Sequence, residues 1–274
     1  MRRLLLSLLF AGLAPVAAAA AEREEVDALY RALALDQVIE VMRDEGRDYG
    51  DDLREEMFPG SGGEAWSDIV DGLYDAERMG RVVAEGLVAA LADTDVTPLL
   101  EFFTSEEGAR IVRLEIEARR ALLDPDVEEA AQAALRRMRQ DGDARLDRLD
   151  TFVEVNDLIE LNVVGAMNSN YAFYSGMIDG NAFGGEMTEA EALSNVWSQE
   201  PEIRADTIDW LYSYLAMAYQ PLDDGEIDAY TALSATPEGQ AMNQAVFESF
   251  DRMYTQISRA LGRAAADFVA GQDI

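Results

Sequence analysis

The chain has 274 residues, 54 acidic and 22 basic, for a net charge of −32; it contains no histidine and no cysteine, and every base is arginine. That composition excludes disulfides, zinc sites, Ser-His and Cys-His nucleophiles, Schiff bases and lysine-bearing phosphate loops. It also argues against nucleic acid and anionic membrane surfaces as partners, because both call for a basic footprint. The acidity reads either as solubility in a saline habitat or as a surface for cations or a basic partner.

Residues 1–21 read as an export signal. Arg2-Arg3 is a short basic region, Leu4 to Leu13 an apolar run, and Ala17 to Ala21 a set of small-residue cleavage sites. The expected mature protein starts near Glu22 and is periplasmic or secreted. No later segment is long and apolar enough to span a membrane.

The remaining pattern is helical. Leu29, Leu33, Val38, Val41 and Met42 make one apolar stripe whose end Gly46 and Gly50 loosen, and Pro59 to Gly63 is a loop. A second helix is expected from Glu64 to Leu91, with Trp66, Ile69, Leu73, Val83 and Leu87 as its apolar points. A short third carries Val96, Leu99, Leu100 and Phe103. The next helix stops at Asp124-Pro125, and residues 126–150 form a connecting helix broken near Asp141-Gly142. Its arginines, Arg136 to Arg148, either dock on the acidic second half or pair along their own helix. From Asp150 to Asp251 the chain offers nineteen acids and one base, Arg204. No segment alternates as a strand would.

The chain reads as one unit written twice. Leu91-Ala-Asp93 through Ser105-Glu-Glu107-Gly108 aligns with Leu222-Asp-Asp224 through Thr236-Pro-Glu238-Gly239 at an offset of 131 residues. The same offset pairs Trp66 with Trp197, Asp75 with Asp206 and Glu117 with Glu248. Further upstream, Asp36 to Val41 echoes Asn156 to Leu161 at an offset of 120, which leaves about eleven extra residues for the Gly-rich loop 176–185. Ser105 and Thr236 are suited to cap a new helix, and Glu107 and Glu238 suit its positive end. Gly108 and Gly239 leave room for a close neighbour in the first turn. The expected architecture is an all-α, multi-helix bundle of two homologous repeats, 22–125 and 151–274, joined by the connecting helix 126–150 and packed about a pseudo-twofold axis into one body.

The corner Phe103-Thr-Ser105-Glu106-Glu107-Gly108, with Leu233-Ser-Ala-Thr236-Pro237-Glu238-Gly239 as its second copy, resembles the DUF2059 family of exported bacterial proteins. The second copy departs from the pattern, with leucine in place of the aromatic. The resemblance implies an all-helical exported protein and brings no reaction, cofactor or catalytic residue with it.

Without histidine, cysteine or lysine, catalysis would rest on carboxylates, tyrosine or a hard metal. Among the carboxylates, Glu101 beside Phe102 and Phe103 has the context of a raised-pKa acid, and Glu115/Glu117 and Asp206/Asp209 are close pairs. Each reads equally as an exposed residue of an amphipathic helix. Asp223-Asp224-Gly225-Glu226-x-Asp228 and Asp179-Gly-Asn181 are oxygen-rich but miss the calcium-loop pattern, and helix capping explains them. No metal and no cofactor is expected.

The aromatics of the second half, Tyr171, Phe173, Tyr174, Trp197, Trp210 and Tyr214, with Arg204 as an anion hook, are the candidate ligand-binding set. Packing in a core, and an internal ion pair for Arg204, are the plainer readings. The functional expectation is a non-catalytic export-compartment module that binds a peptide, a protein helix or an amphiphile in an apolar groove. The alternative is a carboxylate hydrolase acting on envelope glycan.

Overall fold

The computed structural model describes residues 14–269 and Gly271, with side chains from Arg23 onward. Most of the segment 1–21 expected to be an export signal, residues 1–13, lies outside the described residues. The described residues are 83% helical and contain no strand. The first half comprises α1 (Ala14–Ala32), α2 (Leu35–Met57), α3 (Gly63–Leu73), α4 (Ala76–Ala90), α5 (Thr97–Phe103) and α6 (Glu106–Ala121). The rest comprises α7 (Pro125–Asp141), α8 (Arg145–Val155), α9 (Leu158–Asp179), α10 (Glu189–Ala218), α11 (Asp224–Ser234) and α12 (Pro237–Val269).

The two corners are built alike, atom for atom. At the α5–α6 corner the Ser105 hydroxyl donates back to the Phe102 carbonyl at 2.6 Å and accepts the Gly108 N–H at 3.1 Å. At the α11–α12 corner Thr236 does the same with Leu233 at 2.7 Å and Gly239 at 3.0 Å. Both glycines are obligatory for one reason. A Cβ at Gly108 would collide with the Phe102 carbonyl oxygen, and one at Gly239 with that of Leu233. The neighbour that comes close is thus the last turn of the preceding helix.

Several boundaries differ from the sequence reading. The stripe from Leu29 to Met42 is two helices, α1 and α2, joined through a left-handed Ala34 (φ 47°); the same device, Asp157 at φ 50°, joins α8 to α9. These junctions pair Ala34 with Asp157, so the upstream alignment of Asp36 with Asn156 is out of register. Gly46 and Gly50 lie inside α2, where the missing side chains admit Tyr74 and Val70. The helix expected from Glu64 to Leu91 breaks at Tyr74, and Asp75 restarts it by accepting the Arg78 N–H at 2.8 Å. Gly176 belongs to α9 rather than to the loop, and a Cβ on it would strike the α12 backbone at Arg259. The connecting segment does break at Gly142, but α8 then packs on α9 and α11.

Helix pairings of the first half recur in the second. α1 packs on α2, α4 and α5, and α8 on α9, α10 and α11; α2 packs on α3 and α4, and α9 on α10. The last helix of each half reaches into the other half. α12 lies along α4 and supplies Met242, Met253, Ile257 and Leu261 to a core whose other members include Leu29, Ile39, Trp66 and Val83. α6 lies along α10 and supplies Ile111 and Ala118 to a core with Leu149, Phe152, Leu211 and Leu215.

Charge follows the same exchange. Arg145 donates to the Tyr219 carbonyl at 3.0 Å and the Leu222 carbonyl at 2.6 Å, satisfying the end of α10, and bridges Asp224 at 3.3 Å. Arg148 bridges Asp224 at 3.3 Å and also pairs with Asp228, Arg139 bridges Asp209 at 3.2 Å, and Arg110 pairs with Glu226. Of the arginines in the connecting segment, Arg139, Arg145 and Arg148 therefore dock on the acidic second half.

Candidate functional site

Five helices pack in a closed ring: α2 on α6, α6 on α10, α10 on α9, α9 on α12, and α12 back on α2. An all-apolar centre would be the cheapest filling for such a ring, since buried polar groups cost stability unless paired. Instead every helix of the ring sends a polar or charged aromatic-rimmed group to a common seam.

The centre of the seam is an ion pair. Arg119 of α6 holds Glu45 of α2 through two parallel bonds, both 2.8 Å. The guanidinium also sits 6.0 Å over the Trp210 ring of α10. Burial opposes the Arg119 charge, but the Glu45 carboxylate outweighs it and the pKa is raised. Trp210 stacks on Tyr214, centroids 5.2 Å apart, and the Tyr214 hydroxyl points at the Glu115 carbonyl at 3.3 Å. Tyr254 of α12 lies within electrostatic reach of Arg119 and Glu45, and burial pushes its phenol up to about 12. Tyr74, Tyr49 and Tyr174 continue the seam, each within reach of the next, towards α9.

One turn along α6 from the ion pair lies Glu115. The Tyr219 hydroxyl donates to its Oε1 at 2.6 Å, and Tyr214 and Tyr230 sit nearby. Burial pushes this carboxyl up to about 7, only partly offset by the Tyr219 bond. Burial, reinforced by the Glu115 charge, raises the phenols of Tyr214, Tyr219 and Tyr230 as well. Among the described residues the only sealed side-chain polar atom without a hydrogen-bond partner is Thr255 Oγ1. The Tyr254 hydroxyl is turned to the Arg119 guanidinium, whose hydrogen bond partly offsets the effect of burial. Glu115, Tyr230 and Tyr254 are each partly exposed, so the seam reaches the surface.

The sequence-derived residues distribute unevenly around it. Trp210, Tyr214 and Tyr174 come to the seam. Phe173 packs on the first core, edge-on to Tyr174, and a Cβ at Gly262 would strike its backbone. Tyr171 lies on the side of α9 that faces Arg259. Trp197 stands apart, 62% exposed, whereas Trp66, 131 residues upstream, is fully buried and donates its indole N–H to the Gly50 carbonyl at 2.8 Å. Arg204 ties α10 to α9, donating to Glu200 at 2.6 Å and gripping Glu160 with both nitrogens, so it is occupied rather than a free hook.

Among the carboxylates, Glu101 is exposed, and Glu117 points to solvent two residues from Glu115, on the other side of α6. Asp206 and Asp209 are both exposed. Asp223 and Glu226 form a capping box, and Asp179 pairs with Arg259 at 2.8 Å. The described residues contain no cluster of three or more metal-ligating side chains, and no described helix is long and apolar enough to cross a membrane.

The carboxylate in the seam is Glu115, and its sequence signal is positional. Ile111, Glu115, Ala118 and Leu122 share one helical face, so an acid stands where the stripe calls for an apolar residue. Glu45 likewise follows Val38 and Met42 and precedes Tyr49 on one face of α2. In comparisons with known proteins, no family model, no curated protein and no solved structure matches this chain.

Proposed function

We propose that this protein is an exported, non-catalytic binding module of the bacterial periplasm or envelope, built from two tandem DUF2059-like repeats about a pseudo-twofold axis. The ligand site is the seam where α2, α6, α9, α10 and α12 meet. The observation that carries this reading is the convergence of Glu45, Arg119, Trp210, Tyr214 and Tyr254, from four helices of both halves, on one interior point. Local rules of packing are broken there at a cost in stability, and such departures concentrate at functional sites. Tyrosine and tryptophan suit the task, because each presents a flat apolar face and one polar atom. The occupant is a peptide, a protein helix or an amphiphile, engaged through the aromatic faces of the seam.

The export and family assignments rest on the basic-apolar-small pattern of residues 1–21 and on the paired corners at Ser105 and Thr236. Native mass spectrometry of the protein isolated gently from a periplasmic extract tests the binding reading. A stoichiometric adduct, absent from Trp210→Ala, supports it. A bare wild-type chain, or an adduct that survives Trp210→Ala, defeats it.

Glu115 favours a second reading as a general acid, because a carboxyl titrating near 7 suits proton donation. Glycoside hydrolysis also needs a second free carboxylate close by. Glu45 is already held by Arg119, and no other carboxylate contributes to the Glu115 environment. Binding is therefore preferred. Turnover of an envelope glycan that disappears in Glu115→Gln would reverse that preference.

A further inference from the structure

We propose that the exposed face shared by α9 and α10, centred on Trp197, docks a basic amphipathic helix of a partner protein. The face lies outside the seam, and it serves this purpose whether or not the seam holds a ligand.

Five large apolar side chains are exposed among the described residues, and three of them belong to these two helices: Val164 at 51%, Leu193 at 44% and Trp197 at 62%. Apolar residues exposed singly are ordinary, whereas a contiguous group marks an interaction surface. Contiguity follows from the bridge between Arg204 of α10 and Glu160 of α9. Leu193, Trp197 and Arg204 share one face of α10, and Val164 follows Glu160 by one turn on α9. The two helices are consecutive and run antiparallel, so Val164 and Trp197 lie on the same side of that bridge. A rise of about 1.5 Å per residue places them about 6 and 10 Å along from it, within one patch.

Ala190 and Pro201, both exposed, extend the same row of α10. Pro201 adds a polar element. It stands inside α10 without an N–H, so the Trp197 carbonyl loses the donor that the helix would otherwise give it. One residue thus offers a partner both an indole face and a backbone acceptor.

Charge selects the occupant. The row is bordered on one side by Glu189 and Glu200 and on the other, past Ser194 and Ser198, by Glu191 and Glu202. Arg204, the one base between Asp150 and Asp251, is already held by Glu160 and Glu200. Glu191 and Glu202 are exposed and bridge no arginine among the described residues. An apolar row edged by such carboxylates complements a helix with apolar residues along its middle and lysine or arginine at its flanks. A third helix also has the right form, since the row runs along a helix pair. A second copy of this chain fits worse, because a twofold contact would set the same carboxylates against each other. Anionic lipid is repelled for the same reason.

The test is isothermal titration of the whole protein with three synthetic peptides of about 14 residues, enough for about four helical turns. The first is a leucine–lysine amphipathic helix. The second has the same composition with its leucines spread around the helix, and the third carries glutamate in place of lysine. Salt is held at about 0.15 M to screen bulk attraction to so acidic a chain. The expected result is a saturable one-to-one isotherm with the first peptide alone, and a blue shift of tryptophan emission as Trp197 leaves water. Trp197→Ala should weaken the affinity at least about tenfold and remove the shift. Glu191→Gln combined with Glu202→Gln should weaken binding and flatten its salt dependence. All three are surface substitutions, so the variants should keep the fold, which circular dichroism checks.

No saturation with the first peptide, equal binding of the second, or unchanged affinity in Trp197→Ala overturns the inference. A wild-type dimer that Trp197→Ala dissolves assigns the face to a second copy and overturns it as well. The seam stands or falls separately, on adducts that depend on Trp210.

Discussion

Tyr219, at the end of α10, donates its hydroxyl to Glu115 Oε1 on α6 at 2.6 Å, so a buried phenol–carboxylate bond crosses between the two halves of the chain. The bond only partly offsets the burial of Glu115, whose carboxyl remains pushed up to about 7. The folded state therefore holds a proton on Glu115 between about pH 4.5 and 7 that the unfolded chain has released. The sign follows: this residue's contribution to stability is fully present below about 4.5, is lost as pH rises to about 7, and is flat above that. A salt-bridged carboxylate would behave in the opposite way.

The Glu115→Gln variant isolates that contribution, because the other acids cancel in the comparison with wild type. The variant should gain on the order of 2–3 kcal/mol relative to wild type between pH 5 and pH 8. Urea denaturation of both proteins at the two pH values measures it. A difference that does not change with pH would mean that Glu115 is not desolvated.

The Glu45–Arg119 pair should be worth keeping intact. Each side chain is about a quarter exposed, 28% for Glu45 and 24% for Arg119, so the cost of breaking the pair falls below that of a fully buried one. Arg119→Met should cost about 2 kcal/mol, chiefly by leaving the Glu45 charge in a tyrosine-lined seam. Adding Glu45→Gln to that variant should recover at least half of the loss. Tryptophan emission should also change in Arg119→Met, since the guanidinium leaves the Trp210 face. Additive losses in the double variant would show that the two side chains do not share one site.

Much of the fold was legible in local patterns. The capped corners at Ser105 and Thr236, the stop at Asp124-Pro125 and the break at Gly142 are short-range chemistry, and they appear where the residues place them. The joints at Ala34 and Tyr74 were not legible, because a left-handed alanine and an interrupted apolar stripe leave no composition signal. The seam was less legible than the fold. Glu101 sits beside two phenylalanines in sequence yet is exposed, whereas Glu115 lies among Tyr214, Tyr219 and Tyr230, 99 residues or more downstream. Trp66 and Trp197 align at the 131-residue offset but meet different neighbours, so one is core and the other is surface. Residue type at a matching register predicts an element; what covers that element decides burial.

The paired corners yield a test of the duplication itself. Gly108→Ala and Gly239→Ala each push a methyl group into a backbone carbonyl that belongs to the preceding helix, and a backbone atom cannot swing aside as a side chain can. Each substitution should cost about 1–3 kcal/mol, and the two costs should be similar. Thermal unfolding of the two single variants compares them directly. A corner that accepts alanine without loss would show that its close approach is not what holds the helices together.

The exchange of terminal helices leads to the last prediction. α12 supplies Met253, Ile257 and Leu261 to the core of the first half, and α6 supplies Ile111 and Ala118 to the core of the second. Cutting the chain at Thr151 would therefore strip each half of packing that it does not encode, and would also remove Arg145 from the carbonyls of Tyr219 and Leu222. Neither 22–150 nor 151–274 should show a cooperative thermal transition alone, because exposed apolar surface of several large side chains costs roughly 1.5–3 kcal/mol each. Mixed in equal amounts, the two fragments should associate and recover the transition, since every missing contact is then supplied in trans. Calorimetry of each fragment and of the mixture decides the matter. A fragment from Thr151 onward that unfolds at the temperature of the whole chain would show that the cores are independent and that the shared seam is a contact between separate domains.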